Sequence, residues 1–296
     1  MSWRHVASAV SLVLVVLSLV GLAVRGLEFG IEFTGGALFD VRFPEAEPLE
    51  AVRGALASGG FAEALVQASG SERDVVVRIP AAQQADVGAL AGQLEALMAG
   101  LQPGAQIVSS AVIGPAIGEE LRDSAGLGAL ASFAAVGIYI MFRFAGKFAI
   151  GATVALVHDV ILTLGFFVVS GLTFDMPAFA AVLAIIGYSL NDTIVVYDRV
   201  RENLRGMRNA TPADAINRSL NQTLERTLAM SGTTLVTVVA LLLFGGSALR
   251  SFSAALVVGV VVGTYSSIYV ASSLLLTMGV DRLSLMPPAV EEEQAP

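Results

Sequence analysis

Four ionisable residues stand where hydrocarbon is the expected solvent. His158 and Asp159 lie inside the apolar run Ala149–Ser170, Asp192 near the end of the run that starts at Pro177, and Arg226 just before the run Leu228–Phe244. A carboxylate at the centre of a membrane helix costs about 2.5–3.5 kcal/mol on insertion scales, so it faces protein or a water-filled cavity and marks an ion or proton path. At ~1.5 Å per residue, Asp159 falls about 15 Å from Ala149, near the midplane, and Asp192 about 22 Å from Pro177. Read as a helix, Ser189, Asp192, Val196, Arg199 and Asn203 share one face. These residue types suit proton transfer: two acceptor carboxylates, an imidazole beside one, and a guanidinium able to hold an ionised partner. The plainer alternatives are hydrogen-bonded packing for the aspartates, a bystander role for His158, and a headgroup anchor for Arg226 that opens the fifth membrane helix.

The elements that must position these groups are membrane helices. Of 296 residues, 55% are hydrophobic and 14% charged, with a mean hydropathy of +0.75. Soluble domains average about 45–50% apolar and about 25% charged, so this is a polytopic membrane protein. Val6–Val24, preceded by Arg4, is expected to be a first, uncleaved span; a cleaved signal peptide is the competing reading, but the apolar run is longer than the usual h-region and no clean small-x-small site precedes Glu28. Five more follow at Ala125–Phe142, Ala149–Ser170, Pro177–Val196, Leu228–Phe244 and Phe252–Met278, the last long enough to tilt. Gly259 and Gly263, with Ser266, Ser267, Ser272 and Ser273, mark close helix packing.

Between the first two spans the pattern turns soluble. Strands are expected at Ala37–Phe43, Ala62–Ala68, Asp74–Ile79 and Ala105–Val112, with helices at Leu49–Ser58 and Gln83–Met98. The order βαββαβ is ferredoxin-like. The stretch 26–123 carries 14 acidic and 5 basic residues, a solvated surface with no basic nucleic-acid patch. Gly114–Pro115 reads as a hinge-like connector. The expected divisions are a first transmembrane helix over 1–25, the exterior domain and connector over 26–123, helices two to six over 124–279 with an amphipathic segment at 199–226, and a tail over 280–296.

Arginines and lysines gather in the loops after the second and fourth spans, which places those loops and both termini in the cytoplasm and the small domain outside. There is no cysteine, and His5 and His158 are the only histidines, so neither a thiolate nor a histidine metal site is expected. Walker, His-Glu-x-x-His and Gly-x-Ser-x-Gly sequences are absent; Gly187–Asn191 lacks the second glycine. No cofactor and no catalysis are expected, and an ion gradient, H⁺ or Na⁺, is the energy source left.

Gly187-Tyr188-Ser189-Leu190-Asn191-Asp192-Thr193, followed by Asp198-Arg199 and Arg201-Glu202-Asn203, resembles the fourth-helix signature of the SecF family of protein-export membrane subunits. Glu32-Phe33-Thr34-Gly35-Gly36 is similar to that family's acid-Phe-x-Gly-Gly motif, and Gly114-Pro115-Ala116-Ile117-Gly118 to the Gly-Pro segment before its second helix. The resemblance implies membership of the resistance–nodulation–division superfamily and proton passage at Asp192 and Arg226. It implies a SecD partner supplying the second six-helix half, on the same or a separate chain. It further implies association with the SecYEG translocon, with YajC and YidC, with membrane lipids and with an exported unfolded polypeptide at the inner membrane. Two rival readings stand beside it: a proton-coupled exporter of lipids or small molecules, which ordinarily carries larger exterior domains and both halves, and an intramembrane aspartyl protease, which ordinarily shows Gly-x-Gly-Asp.

Overall fold

The computed structural model describes residues 3–69, 71–80, 87–144, 146–207 and 210–281. Helix α1 (Arg4–Val24) is followed by the one-turn helix α2 (Ile31–Thr34) and the small domain. That domain runs β1 (Gly36–Arg42), α3 (Leu49–Ser58), β2 (Leu65–Ser69), β3 (Ser71–Pro80), α4 (Val87–Leu101) and β4 (Gln106–Ile113). Its sheet has the order β2-β3-β1-β4 with every neighbouring pair antiparallel, the ferredoxin-like arrangement expected from βαββαβ. Strand alternation decides the faces. Phe39, Val41, Val75, Val77 and Ile79 are buried against Val52, Leu56, Leu90 and Leu94 of the two helices. The opposite face carries Leu38, Asp40, Val76 and Arg78 towards the membrane helices. The expected start of the Gln83 helix lies outside the described residues.

The remaining spans are α5 (Pro115–Arg143), α6 (Lys147–Ser170), α7 (Met176–Gly206), α8 (Pro212–Phe244), and a sixth made of α9 (Arg250–Tyr265), a π-helical segment Ser266–Ala271 and α10 (Ser272–Thr277). Six helices are thus long and apolar enough to cross a membrane. The chain is an α-helical polytopic membrane protein with the domain inserted between helices one and two. At 31 and 33 residues, α7 and α8 run about 46–50 Å and overshoot a ~30 Å core on the side away from the domain.

Two expectations need correcting and one gains detail. The Gly114–Pro115 connector is also a helix start: Gly114 caps α5 and Pro115 begins it, because proline's fixed φ suits the first helical turn, where its missing N–H loses nothing. The stretch 199–226 is not a separate amphipathic segment but the extended ends of α7 and α8, α8 starting at Pro212 behind a Thr211–Asp214 capping box. Arg226 therefore sits about four turns into its helix rather than at its opening.

The glycine motifs form one joint. Gly35 has φ +70°, a backbone angle that L side chains rarely adopt. A Cβ on Gly118 of α5 would stand 2.7 Å from the Gly35 nitrogen, so the end of α2 and the start of α5 touch backbone to backbone. Beside it Phe33 packs edge-on to Phe29, 5.8 Å between centroids, and stacks on Phe174 at 6.3 Å. Main-chain bonds Gly30 N–H to Phe174 O (3.0 Å) and Phe174 N–H to Glu28 O (2.8 Å) tie the exit of α1 to the α6–α7 loop.

Candidate proton-transfer site

Asp159 of α6 is wholly buried. Its Oδ1 meets His158 Nδ1 at 2.8 Å, and its Oδ2 accepts from Ser189 Oγ of α7 and from Ser266 Oγ of the sixth span at 2.6 Å. Three helices therefore close on one carboxylate. Glycines make this possible: a Cβ on Gly259 would lie 2.3 Å from Ile185 Cδ1, and one on Gly263 3.2 Å from Ser189 Cβ, so the Gly-x-x-x-Gly pair brings α9 against α7 as expected. Ser266, read from the sequence as packing alone, is also a ligand of the carboxylate. His158 Nε2 is buried without a hydrogen-bond partner among the described residues and borders an apolar cavity against α1.

Asp192 lies on the neighbouring seam. It is 2% exposed, and its Oδ2 makes no hydrogen bond among the described residues. Thr227 Oγ1 on α8 is likewise buried and unpaired. One turn towards the domain, Tyr188 OH donates to Ser231 Oγ at 2.9 Å, and Ser231 meets Thr264 at 2.6 Å. Farther along, Asn203 Nδ2 donates to Ser219 Oγ (2.8 Å) and Gln222 Oε1 (2.9 Å). Because α7 and α8 run antiparallel, these contacts set Asp192 level with Thr227. Arg226, adjacent to Thr227, is exposed and borders a polar cleft with Asp198, Arg199 and Glu202; its charge reaches Asp192 without a direct hydrogen bond or ion pair among the described residues. The structure thus brings His158 and Asp159 together, keeps Asp192 apart from them, and leaves Arg226 near Asp192 but unpaired with it.

The other singled-out residues divide cleanly. Glu32, Phe33, Gly35, Gly36, Gly114 and Pro115 belong to the joint described above. Gly187 and Asn191, one turn apart on α7, are exposed. Two residues of the site escaped the sequence reading. Tyr197 is completely buried and donates to the Ala271 carbonyl at 2.9 Å, in the π-helical segment, while a Cβ on Gly151 would lie 2.4 Å from its hydroxyl. Asp175 caps α7, accepting from Ala178 N–H at 2.9 Å and Ser251 Oγ at 2.5 Å; an aspartate two residues before a proline is a legible helix-start signal. Among the described residues no group of three or more His, Cys, Asp or Glu side chains could hold a metal ion.

Six spans, an inserted ferredoxin-like domain and carboxylates buried in the third and fourth spans define a multi-pass membrane transport subunit. Residues 93–281 match the family described as protein export membrane protein SecD/SecF, C-terminal, and residues 20–43 match the SecD/SecF GG motif. The protein translocase subunit SecF of Vibrio alginolyticus is 43% identical over 296 residues, 100% of this chain and 94% of the relative. That of Pseudomonas aeruginosa is 44% identical over 292 residues, 99% of this chain and 95% of the relative. The crystal structure of SecDF, a translocon-associated membrane protein from Thermus thermophilus, superposes with a TM-score of 0.85 at 39% identity, covering 94% of this chain and 38% of that one. This chain therefore spans well under half of the solved SecDF chain. The chain belongs to the SecF family of protein translocase subunits.

Proposed function

We propose that this chain is an accessory subunit of the Sec protein-export machinery which, with a SecD half, uses the proton gradient to promote movement of polypeptides across the cytoplasmic membrane. The observation that carries the reading is the contrast between the two buried carboxylates. Asp159 is committed to three side chains, whereas Asp192 has an oxygen with none, so Asp192 is the group free to exchange a proton while Asp159 and His158 hold the bundle around it. Gly187 and Asn191 support a partner half. A polar amide and a bare glycine on an exposed helix face suit close contact with another helix rather than with lipid. Both termini and the overshooting ends of α7 and α8, rich in arginine, are cytoplasmic in this reading, and the ferredoxin-like domain is outside. SecYEG, YajC and YidC are then neighbours in the assembly, and no nucleic acid takes part. The test is late-stage export of a secretory protein into inverted vesicles with and without a proton gradient. Depletion of this chain removes the gradient-dependent increment; an unchanged increment, or loss of small-molecule efflux instead, overturns the reading.

A further inference from the structure

A cavity of about 300 Å³ lies between the membrane-facing side of the small domain's sheet and the outer ends of the membrane helices. Arg78 of β3 enters it 91% buried, being 9% exposed. Among the described residues only its Nη2 is used, donating to Thr173 Oγ1 in the α6–α7 loop, and Nε and Nη1 have no hydrogen-bond partner. Glu32 Oε2, in the same cavity wall, is buried and equally unpartnered. Glu28, Glu32 and Asp175 act on Arg78 by charge, yet none hydrogen-bonds to it. A buried guanidinium with three idle N–H bonds beside an idle carboxylate oxygen is a large unmet demand, since each such buried group left unpaired costs on the order of 1–3 kcal/mol.

The chemistry of an occupant follows from both signs being present. Asp40 and Asp175 also line the cavity, which disfavours an anion, and the charges of Arg78 and Arg250 disfavour a cation. A neutral group with a donor and an acceptor side by side satisfies both. In an extended chain the N–H and C=O of one residue point to the same side, so a single main-chain residue can donate to Glu32 and accept from Arg78. The rest of the wall suits varied side chains: Leu38, Val76 and Leu172 are apolar, while Ser69, Ser109 and Ser247 are small and polar.

We infer that this cavity seats an extended segment of polypeptide, its main chain bridging Arg78 and Glu32. The inference rests on the export role and orientation above, in which this is the side where the translocating chain emerges. The experiment uses the full chain with its partner half in cells and a secretory precursor arrested during export. A photoreactive benzoylphenylalanine replaces Ser109 inside the cavity, or Ala57 on the exposed back of α3 as control. An adduct with the precursor is expected from Ser109 and not from Ala57. Arg78→Met is expected to lower the adduct about tenfold, as for one lost hydrogen bond to a charged group. Ala111→Trp fills the cavity from β4 without touching the Arg78–Thr173 bond, and is expected to lower it as much. Full adduct yield in both variants, or an adduct with the partner subunit alone, overturns the inference. No adduct from Ser109, while depletion still removes gradient-stimulated export, overturns it too and leaves the export role standing.

Discussion

Asp192 and Asp159 are separated by their surroundings rather than by residue type. Substituting Asp192→Asn removes the charge but keeps size and hydrogen-bonding capacity, and no existing bond to Oδ2 is lost. The expected result is loss of gradient-stimulated export with an unchanged melting temperature of the purified complex. Asp159→Ala is expected to differ. It leaves the His158 ring nitrogen and the Ser189 hydroxyl buried without this partner, at roughly 1–3 kcal/mol per unpaired group, while Ser266 keeps the Gly263 carbonyl, so the melting temperature falls together with activity. Equal effects of the two substitutions on stability would dissolve the distinction. Arg226 gives a third contrast: if its long-range charge is what matters, Arg226→Lys retains most export and Arg226→Ala does not, and the vesicle assay decides.

At the scale of elements, the tightest constraints are glycines. Gly118→Leu would drive a side chain into the Gly35 main chain, which cannot yield as a flexible side chain can, and overpacking of this kind costs about 1–3 kcal/mol or more. The expected outcome is reduced accumulation of folded protein, while Gly126→Leu on the open face of the same helix is tolerated. Immunoblotting of membranes compares the two. Much of this level was legible. The strand expected at Asp74–Ile79 is part of β3, and the Gly259–Gly263 spacing marked a helix contact. Arg78 was not legible, because alternation assigns it to the outer face of the sheet and says nothing of membrane helices covering that face. Nor was the π-helical segment, since Ser266–Ala271 contains no glycine or proline to announce it; Tyr197 of α7 donates to the Ala271 carbonyl at its end. Ser189, Asp192 and Asn203 were read as one face of α7, yet Ser189 meets Asp159 of α6 while Asn203 bonds to α8; which neighbour each would face depended on helix packing that no local pattern encodes.

For the whole molecule the question is how firmly the small domain sits on the bundle. Gln67 Nε2 bonds Glu28 and the Gly171 carbonyl, both at 3.1 Å, and Arg250 reaches the Ala68 carbonyl at 2.7 Å, beside the Arg78–Thr173 contact. Burial raises the carboxyl of Glu32 above its ordinary range, against its own main-chain bond and the pull of Arg78 and with the push of Asp175; burial, then Asp74, raises that of Asp40. A docked state that holds these protons more tightly than an undocked one gains stability as pH falls and loses it as pH rises through the raised values. Spin labels at Ala57 and Ala248 are expected to report a larger docked fraction as pH drops from about 7 to about 5. The dependence flattens in the double variant Glu32→Gln, Asp40→Asn; an opposite slope would show that these carboxyls do not control docking. Orientation is checked with single cysteines: Ser71 and Ala248 label from outside, and Asn221, exposed on the far end of α8, only from the cytoplasm. The backbone contact between Gly35 and Gly118 has one more consequence. The chain enters and leaves the small domain at a single spot, so the seventy-eight residues from Gly36 to Ile113 form a detachable cassette whose ends already touch. Replacing that cassette with a short glycine linker should leave a six-helix remnant that still inserts, separating the buried carboxylates of the bundle from the cavity at Arg78.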